Sequence, residues 1–275
     1  MRIVILTLVA LVAFAANSVL VRGALAQEQI GPAAFGAVRL LSGAAMLAVI
    51  LAVRGGLTSI LSRPSFVSVA ALLVYVTGFS YAYLWLDAGT GALILFGGVQ
   101  ITMFAGALIG GERPSTGRWL GAALGMLGLA ILFGPSATVP DLSGAALMGV
   151  AALGWGIYSL RGRYIDAPIR ATAANFLLAT PLALLLWWAA PSEPKMTLRG
   201  AALAIASGAL ASGIGYAIWY SVLPALKPTQ AAILQLSVPV IALAGGIAFL
   251  GESFTWVFAA AATIIMAGVL LGLRR

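Results

Sequence analysis

The polar side chains set inside the apolar runs of this chain are few, and their types recognise solutes rather than break bonds. Arg39 is a permanent cation. It can offer a planar fork to a carboxylate, or reach outward and leave its head among lipid headgroups. Asn17, Asn175, Gln100 and Gln235 are neutral amides. A buried glutamine has four hydrogen-bonding positions to satisfy, so it either ties helices together or lines a hydrated space. Phe96 and Phe104 stand four residues before and after Gln100, on its face of a helix. Tyr75, Phe79 and Tyr83 recur at every fourth position, Tyr216, Trp219 and Tyr220 share a face, and so do Trp155 and Tyr158. Such faces pack as core, stack a planar solute, or hold a cation over a ring. The hydroxyls of Tyr81, Tyr158 and Tyr216 need partners away from water, which favours a hydrated cavity. This is the chemistry of non-covalent recognition. The sequence has no histidine and no cysteine, which removes the usual metal ligands and any disulfide framework. It has no phosphate-binding Walker loop and no nucleophile–base pair. We therefore expect no metal, no cofactor and no enzymatic activity.

These residues must be positioned by membrane-spanning elements. The chain is 62% hydrophobic and 8% charged over 275 residues, with a mean hydropathy of +1.09. A water-exposed surface cannot be built from that balance. In lipid the backbone must satisfy itself, so the choice is between helices and a closed barrel. The apolar runs are about 20 residues long and do not alternate, which selects helices. Ten spans are expected: 3–21, 33–53, 65–86, 90–110, 117–134, 143–160, 171–189, 200–223, 229–250 and 255–273. The breaks fall at Arg54-Gly55-Gly56 and Arg63-Pro64, at Gly111-Glu112-Arg113-Pro114, at Gly134-Pro135 to Pro140-Asp141, and at Pro191 to Lys195. Met1-Arg2 with the apolar run to Val21 reads as a retained first helix rather than a cleaved leader. Trp119, Trp187 and Trp188 read as interfacial anchors. Gly121, Gly125 and Gly128 offer one close-packing face, and Gly106 with Gly110 another.

Charge sorts by side. With ten crossings both termini lie together, and their side carries Arg2, Arg54, Arg63, Arg113, Arg118, Arg161, Arg163, Arg170, Lys227, Arg274 and Arg275, against Glu112 and Asp166. The other side carries Arg22, Arg39, Lys195 and Arg199, against Glu28, Asp87, Asp141, Glu193 and Glu252. The net charges are +9 and −1, within a total of +8. Cytoplasmic loops hold the excess of Lys and Arg, so both termini are expected in the cytoplasm. The basic surplus thus reports topology, and no nucleic-acid surface is expected.

The two halves repeat. Phe14-Ala-Ala-Asn17-Ser18 with Arg22 recurs as Trp155-Gly-Ile-Tyr158-Ser159 with Arg163. Gly78-Phe-Ser-Tyr81-Ala82 recurs as Gly213-Ile-Gly-Tyr216-Ala217. Ala92-Leu-Ile-Leu leading to Gly111-Glu112 recurs as Ala232-Ile-Leu-Gln leading to Gly251-Glu252. Five spans per half is an odd number, so the second half must run inverted, an arrangement suited to a site that opens to either face in turn. The expected organisation is a repeat over 1–134, a linker over 135–142 and a second repeat over 143–275.

In these features the chain resembles the drug/metabolite transporter superfamily, in its ten-helix EamA type. The resemblance is carried by Phe14 to Ser18 and Trp155 to Ser159, by Pro32 with Arg39, and by Gly111-Glu112-Arg113 and Gly251-Glu252-Ser253. It is also carried by Pro239 thirteen positions before Glu252. In the first half Val99, between Gly98 and Gln100, stands where that proline would be. The resemblance implies an all-α membrane protein, two inverted five-helix bundles around a central cavity, moving small metabolites, commonly amino acids, by alternating access. Carriers of quaternary amines or other organic cations, flippases of lipid-linked groups and channels are the competing readings. The expected partners are a small-molecule substrate and the bilayer, with the chain a monomer or homodimer. Asn17, Arg39, Tyr75, Phe79, Tyr81, Tyr83, Phe96, Gln100, Trp155, Tyr158, Asn175, Tyr216, Trp219, Tyr220 and Gln235 are the candidate substrate contacts. Gly97, Gly98, Pro224 and Pro239 are the candidate hinges, since proline frees a carbonyl one turn upstream. No carboxylate falls at mid-membrane, which favours facilitated diffusion or exchange over proton coupling, with Asp87 as the counter-candidate.

Overall fold

The computed structural model describes residues 2–55, 65–132, 141–162, 165 and 167–274. Arg63, Pro64, Arg163, Asp166, Arg275 and positions 133–140 of the expected linker region lie outside them. Among the described residues the helices are α1 (Arg2–Leu25), α2 (Pro32–Val53), α3 (Phe66–Ala82), α4 (Ala88–Ile109), α5 (Thr116–Leu132), α6 (Leu142–Gly162), α7 (Pro168–Trp188), α8 (Leu198–Ala225), α9 (Pro228–Leu250) and α10 (Trp256–Leu273). Seven of these are long and apolar enough to cross a membrane; α3, α5 and α10 are shorter and equally apolar. Large apolar side chains cover the outside, among them Ile109, Leu142, Trp188 and Trp256, each more than 80% exposed. A solvated protein does not present such a surface, and lipid accounts for it.

Local chemistry starts and stops these helices where the sequence suggests. Pro32, Pro168 and Pro228 open α2, α7 and α9, where a missing N–H costs nothing. Ser65 accepts from the Ser68 N–H and Thr197 from the Gly200 N–H, capping α3 and α8. Gly111 and Gly251 end α4 and α9 in the left-handed region, at φ of 81° and 72°, which glycine adopts without strain. Two boundaries differ from expectation by a full turn. The first helix runs on to Leu25 rather than ending at Val21. The third helix stops at Ala82 rather than near residue 86, because the chain turns through Leu84 and Trp85, bonded back to Tyr81 and Ala82. That turn lays the Tyr83 ring against Gly91 on α4.

The helices of the two halves interleave. α2 packs on α7, α4 on α9 and α5 on α10; α3 packs on α6 as α1 does on α8; α4 packs on α6 as α1 does on α9. Moving each helix five places along, or five back, returns the same set of pairs. Directions follow the same rule. Gly98, Thr102 and Gly106 of α4 meet Ala152, Gly156 and Leu160 of α6 in parallel order, and Val19 and Gly23 of α1 meet Gly245 and Leu250 of α9 likewise.

α5 and α10 form a pair set to one side. A side chain at Gly121 would lie 2.5 Å from the Gly268 carbonyl and 2.7 Å from the Gly272 Cα. Small residues let the backbones touch, which drives association where lipid removes the hydrophobic difference. Gly121→Leu should therefore wedge this pair apart, at a cost of about 1–3 kcal/mol. The melting temperature in detergent should fall. An unchanged melting temperature would count against the close contact.

Candidate functional site

Arg39 sits about two turns into α2 and is completely buried. It does not extend to the headgroups, because closer partners surround it. Its Nε–H donates to Ser212 Oγ at 3.0 Å, and its Nη2 donates to the hydroxyls of Tyr75 at 3.0 Å and Tyr216 at 3.2 Å. The guanidinium carbon lies 5.2 Å from the centre of the Tyr75 ring and 5.1 Å from that of Phe79. α2, α3 and α8 are joined through this one side chain. Asn17 of α1 joins them: its Oδ1 accepts from Ser207 at 2.7 Å and from Ser212 at 3.4 Å.

The two serines meet Asn17 because α8 is not regular. Residues five apart on an α-helix point about 140° away from each other. Ala206–Ile214 winds as a π-helix, with bonds reaching five residues back, and this wider turn brings Ser207 and Ser212 to one side. Neither serine was among the expected contacts. The i, i+5 spacing of two polar residues in an apolar run was the available sign.

Trp155 of α6 is the hub of the aromatic cluster. Its ring centre lies 5.2 Å from Phe14, 5.1 Å from Tyr75, 4.8 Å from Tyr216 and 6.0 Å from Tyr158. Phe14 also meets Trp219 edge-on at 5.4 Å. The indole N–H donates to Gln235 Oε1 at 2.7 Å, and the other end of that amide donates to Met103 Sδ and the Ala231 carbonyl. Asn175 donates to the Tyr158 hydroxyl at 3.3 Å, and Tyr220 meets Tyr158 edge-on. Gln100 is 3% exposed, and neither end of its amide has a hydrogen-bond partner. Phe96 is buried one turn before it.

Two expected contacts lie elsewhere. Tyr81 is at the end of α3 and donates to Glu193 Oε1 at 3.0 Å; Glu193 in turn accepts from the Ala33 and Ala34 N–H groups and so caps α2. Tyr83 is fully buried, donates to the Ala88 carbonyl at 3.3 Å and meets Phe79 edge-on, 4.9 Å away. Among the hinge candidates, α4 runs unbroken through Gly97 and Gly98, and Gly98 serves the close approach of Ala152. Pro224 lies in the tight turn that ends α8, and Pro239 follows a break in α9 at Leu236 and Ser237. Among the described residues these rings and amides touch one another, and a void of about 10 Å³, the size of one water, lies beside Tyr158, Asn175 and Tyr220.

The ends of the bundle are closed by two glutamates in related positions. Glu112, after α4, accepts from the Thr229 hydroxyl and N–H at the start of α9, and pairs with Arg118 at 3.0 Å. Glu252, after α9, accepts from the Ala88 N–H at the start of α4 at 3.1 Å. Each Gly-Glu thus terminates the helix of the other half. The Glu252 end is the looser. A cleft of about 290 Å³ opens there, lined by Arg22, Gln27, Asp87, Arg199 and Glu252 among others. Burial raises the Glu252 pKa above its ordinary 4.5; the Ala88 N–H opposes this, Asp87 adds to it and Arg22 opposes it. A carboxyl raised on folding contributes stability below its unfolded pKa and loses it as pH rises through the folded value. Stability should accordingly decline as pH rises through the range just above 4.5. Glu252→Gln should flatten that segment of a melting-temperature profile against pH, and an unaltered profile would rule the effect out.

The profile of the EamA-like transporter family matches residues 1–134 and again 142–274. A Pseudomonas aeruginosa protein described as uncharacterized protein PA1977 is 45% identical over 270 residues, covering 98% of this chain and 94% of its own. A Salmonella typhimurium protein described as a probable amino-acid metabolite efflux pump is 29% identical over 199 residues, 67% of either chain. A solved crystal structure at 20% identity superposes with a TM-score of 0.78 over 96% of this chain and 97% of that one, which shows a common fold.

Proposed function

Because the chain belongs to the EamA-like transporter family, we propose that it carries amino acids or closely related metabolites across the bacterial inner membrane by alternating access. It is a membrane transporter of small metabolites. Family and relatives point to transport rather than to an enzyme. The observation that carries the reading is the shared centre: Asn17, Arg39, Tyr75 and Phe79 from the first half interlock with Trp155, Tyr158, Ser212, Tyr216 and Gln235 from the second. A site divided in this way opens when the halves rock.

We read ten crossings in two inverted halves, 1–134 and 143–275, with both termini cytoplasmic. The exchange of helix pairs on a shift of five supports this, as do the parallel α4–α6 and α1–α9 contacts and the reciprocal glutamate caps. Amino acids are favoured by the printed function of the Salmonella relative. Organic cations are disfavoured, since the faces of Tyr75 and Phe79 already hold Arg39.

Counterflow in proteoliposomes tests the function: labelled amino acids should accumulate against preloaded unlabelled ones, and a panel with no exchange would reject it. The cysteine-free sequence makes the access test clean. Single cysteines at Ala26, in the cleft, and at Ile165, at the opposite end, should change their labelling rates in opposite directions on adding substrate. Parallel changes would sink alternating access.

A further inference from the structure

Arg39 is a buried charge with no counter-charge. It is wholly inaccessible, yet all its partners are neutral: three hydroxyls and two ring faces. Among the described residues the ion pairs are Arg22 with Asp87 and Arg118 with Glu112, both at helix ends. A charge removed from water is costly unless it is paired. The guanidinium also keeps an edge in reserve. Of its five N–H donors, those on Nε and Nη2 are engaged, while Nη1 is buried with no partner. The missing element is therefore an anion, and the free edge is where it fits.

We propose that Arg39 is the recognition residue for a carboxylate on the transported solute, which docks on Nη1 and supplies the negative charge that the neutral partners of Arg39 do not. This rests on the transport reading above and narrows it. The aromatic wall of Phe14, Tyr75 and Trp155 then faces the remainder of the solute, and Tyr216 and Ser212 hold the fork in plane. A solute that is only a cation meets an uncompensated guanidinium and is excluded. A phosphate-bearing solute shares the chemistry and is separated from a carboxylate by experiment.

The test is ligand-induced thermal stabilisation of the purified chain in nanodiscs, since a ligand of the folded state raises its melting temperature. The probes are phenylalanine and leucine, their amides, the matching primary amines, choline and inorganic phosphate. Carboxylates should raise the melting temperature, and amides, amines and choline should not. Arg39→Lys, which keeps charge but loses the planar fork, should weaken binding by about tenfold or more. Arg39→Gln should abolish it; because that variant also frees the Ser212, Tyr75 and Tyr216 hydroxyls, binding is read as the shift between ligand-free and ligand-loaded samples of the same variant, whatever its own melting temperature. A merely structural arginine would leave the carboxylate-induced shift intact in Arg39→Lys and in Arg39→Gln, and that result would overturn the proposal. Equal shifts from amides or amines, stabilisation by phosphate alone, or no shift with any carboxylate would each overturn the proposal. Counterflow separates the two readings. Arg39-dependent carboxylate binding without exchange of any solute rejects transport and keeps the site. Exchange that persists in Arg39→Gln and ignores the carboxylate rejects the site and keeps transport.

Discussion

Glu112→Ala should lower the unfolding free energy of the purified protein by about 3–5 kcal/mol, the usual result of deleting one partner of a buried ion pair. Glu112 and Arg118 are each only 11% exposed at the side chain and stand 3.0 Å apart. Alanine leaves the arginine charge in place with nothing to balance it. It also leaves the Thr229 N–H and hydroxyl, at the first turn of α9, without their acceptor. Three donors from two helices lose one group. Glu112→Gln keeps an acceptor and should fall between alanine and wild type. The comparison is Asp87→Ala at the other end, whose pair with Arg22 involves a side chain 67% exposed. An exposed pair contributes about 0–1 kcal/mol, so that variant should differ little. Reversible unfolding in mixed detergent measures both, and equal losses would remove the distinction between the two ends.

Trp155→Ala is the second large effect, at about 3–5 kcal/mol for removing a buried aromatic. Lipid is no more welcoming than the interior, so the loss comes from packing: four rings lose their common neighbour and a void opens among them. Gln235 Oε1 also loses the indole N–H. Trp155→Phe refills most of the void without restoring that bond, which separates volume from hydrogen bonding. Transport should fall with the alanine variant even below its melting temperature, because the rings from α1, α3 and α8 lose their register. A variant of wild-type stability and exchange rate would show that Trp155 is peripheral.

Much of this was legible in the residues because lipid leaves so few choices. Runs of about 20 apolar residues can only be helices, and a polar group within one stands out against them. Arg39, Asn17, Trp155 and Gln235 were found in that way, and all lie in the centre. What escaped depends on relations that periodicity does not encode. Ser207 and Ser212 face Asn17 only because α8 widens locally, whereas a regular helix would turn one of them away. Tyr81 and Tyr216 occupy matching positions in the two halves, yet one meets Glu193 at the surface and the other Arg39 in the interior. Glu193 reads as a loop residue and caps a helix 160 positions earlier in the chain.

The crossed glutamate caps also bear on biosynthesis. Thr229 follows Glu112 by 117 residues. At roughly 5–20 residues per second, a ribosome needs on the order of 6–23 s to supply it. Throughout that interval the nascent first half sits in the bilayer with a carboxylate waiting for a helix not yet made, while the start of α4 awaits Glu252. A chain truncated after α5 would therefore keep the Glu112–Arg118 pair but lack the Thr229 donors and the Glu252 acceptor for Ala88.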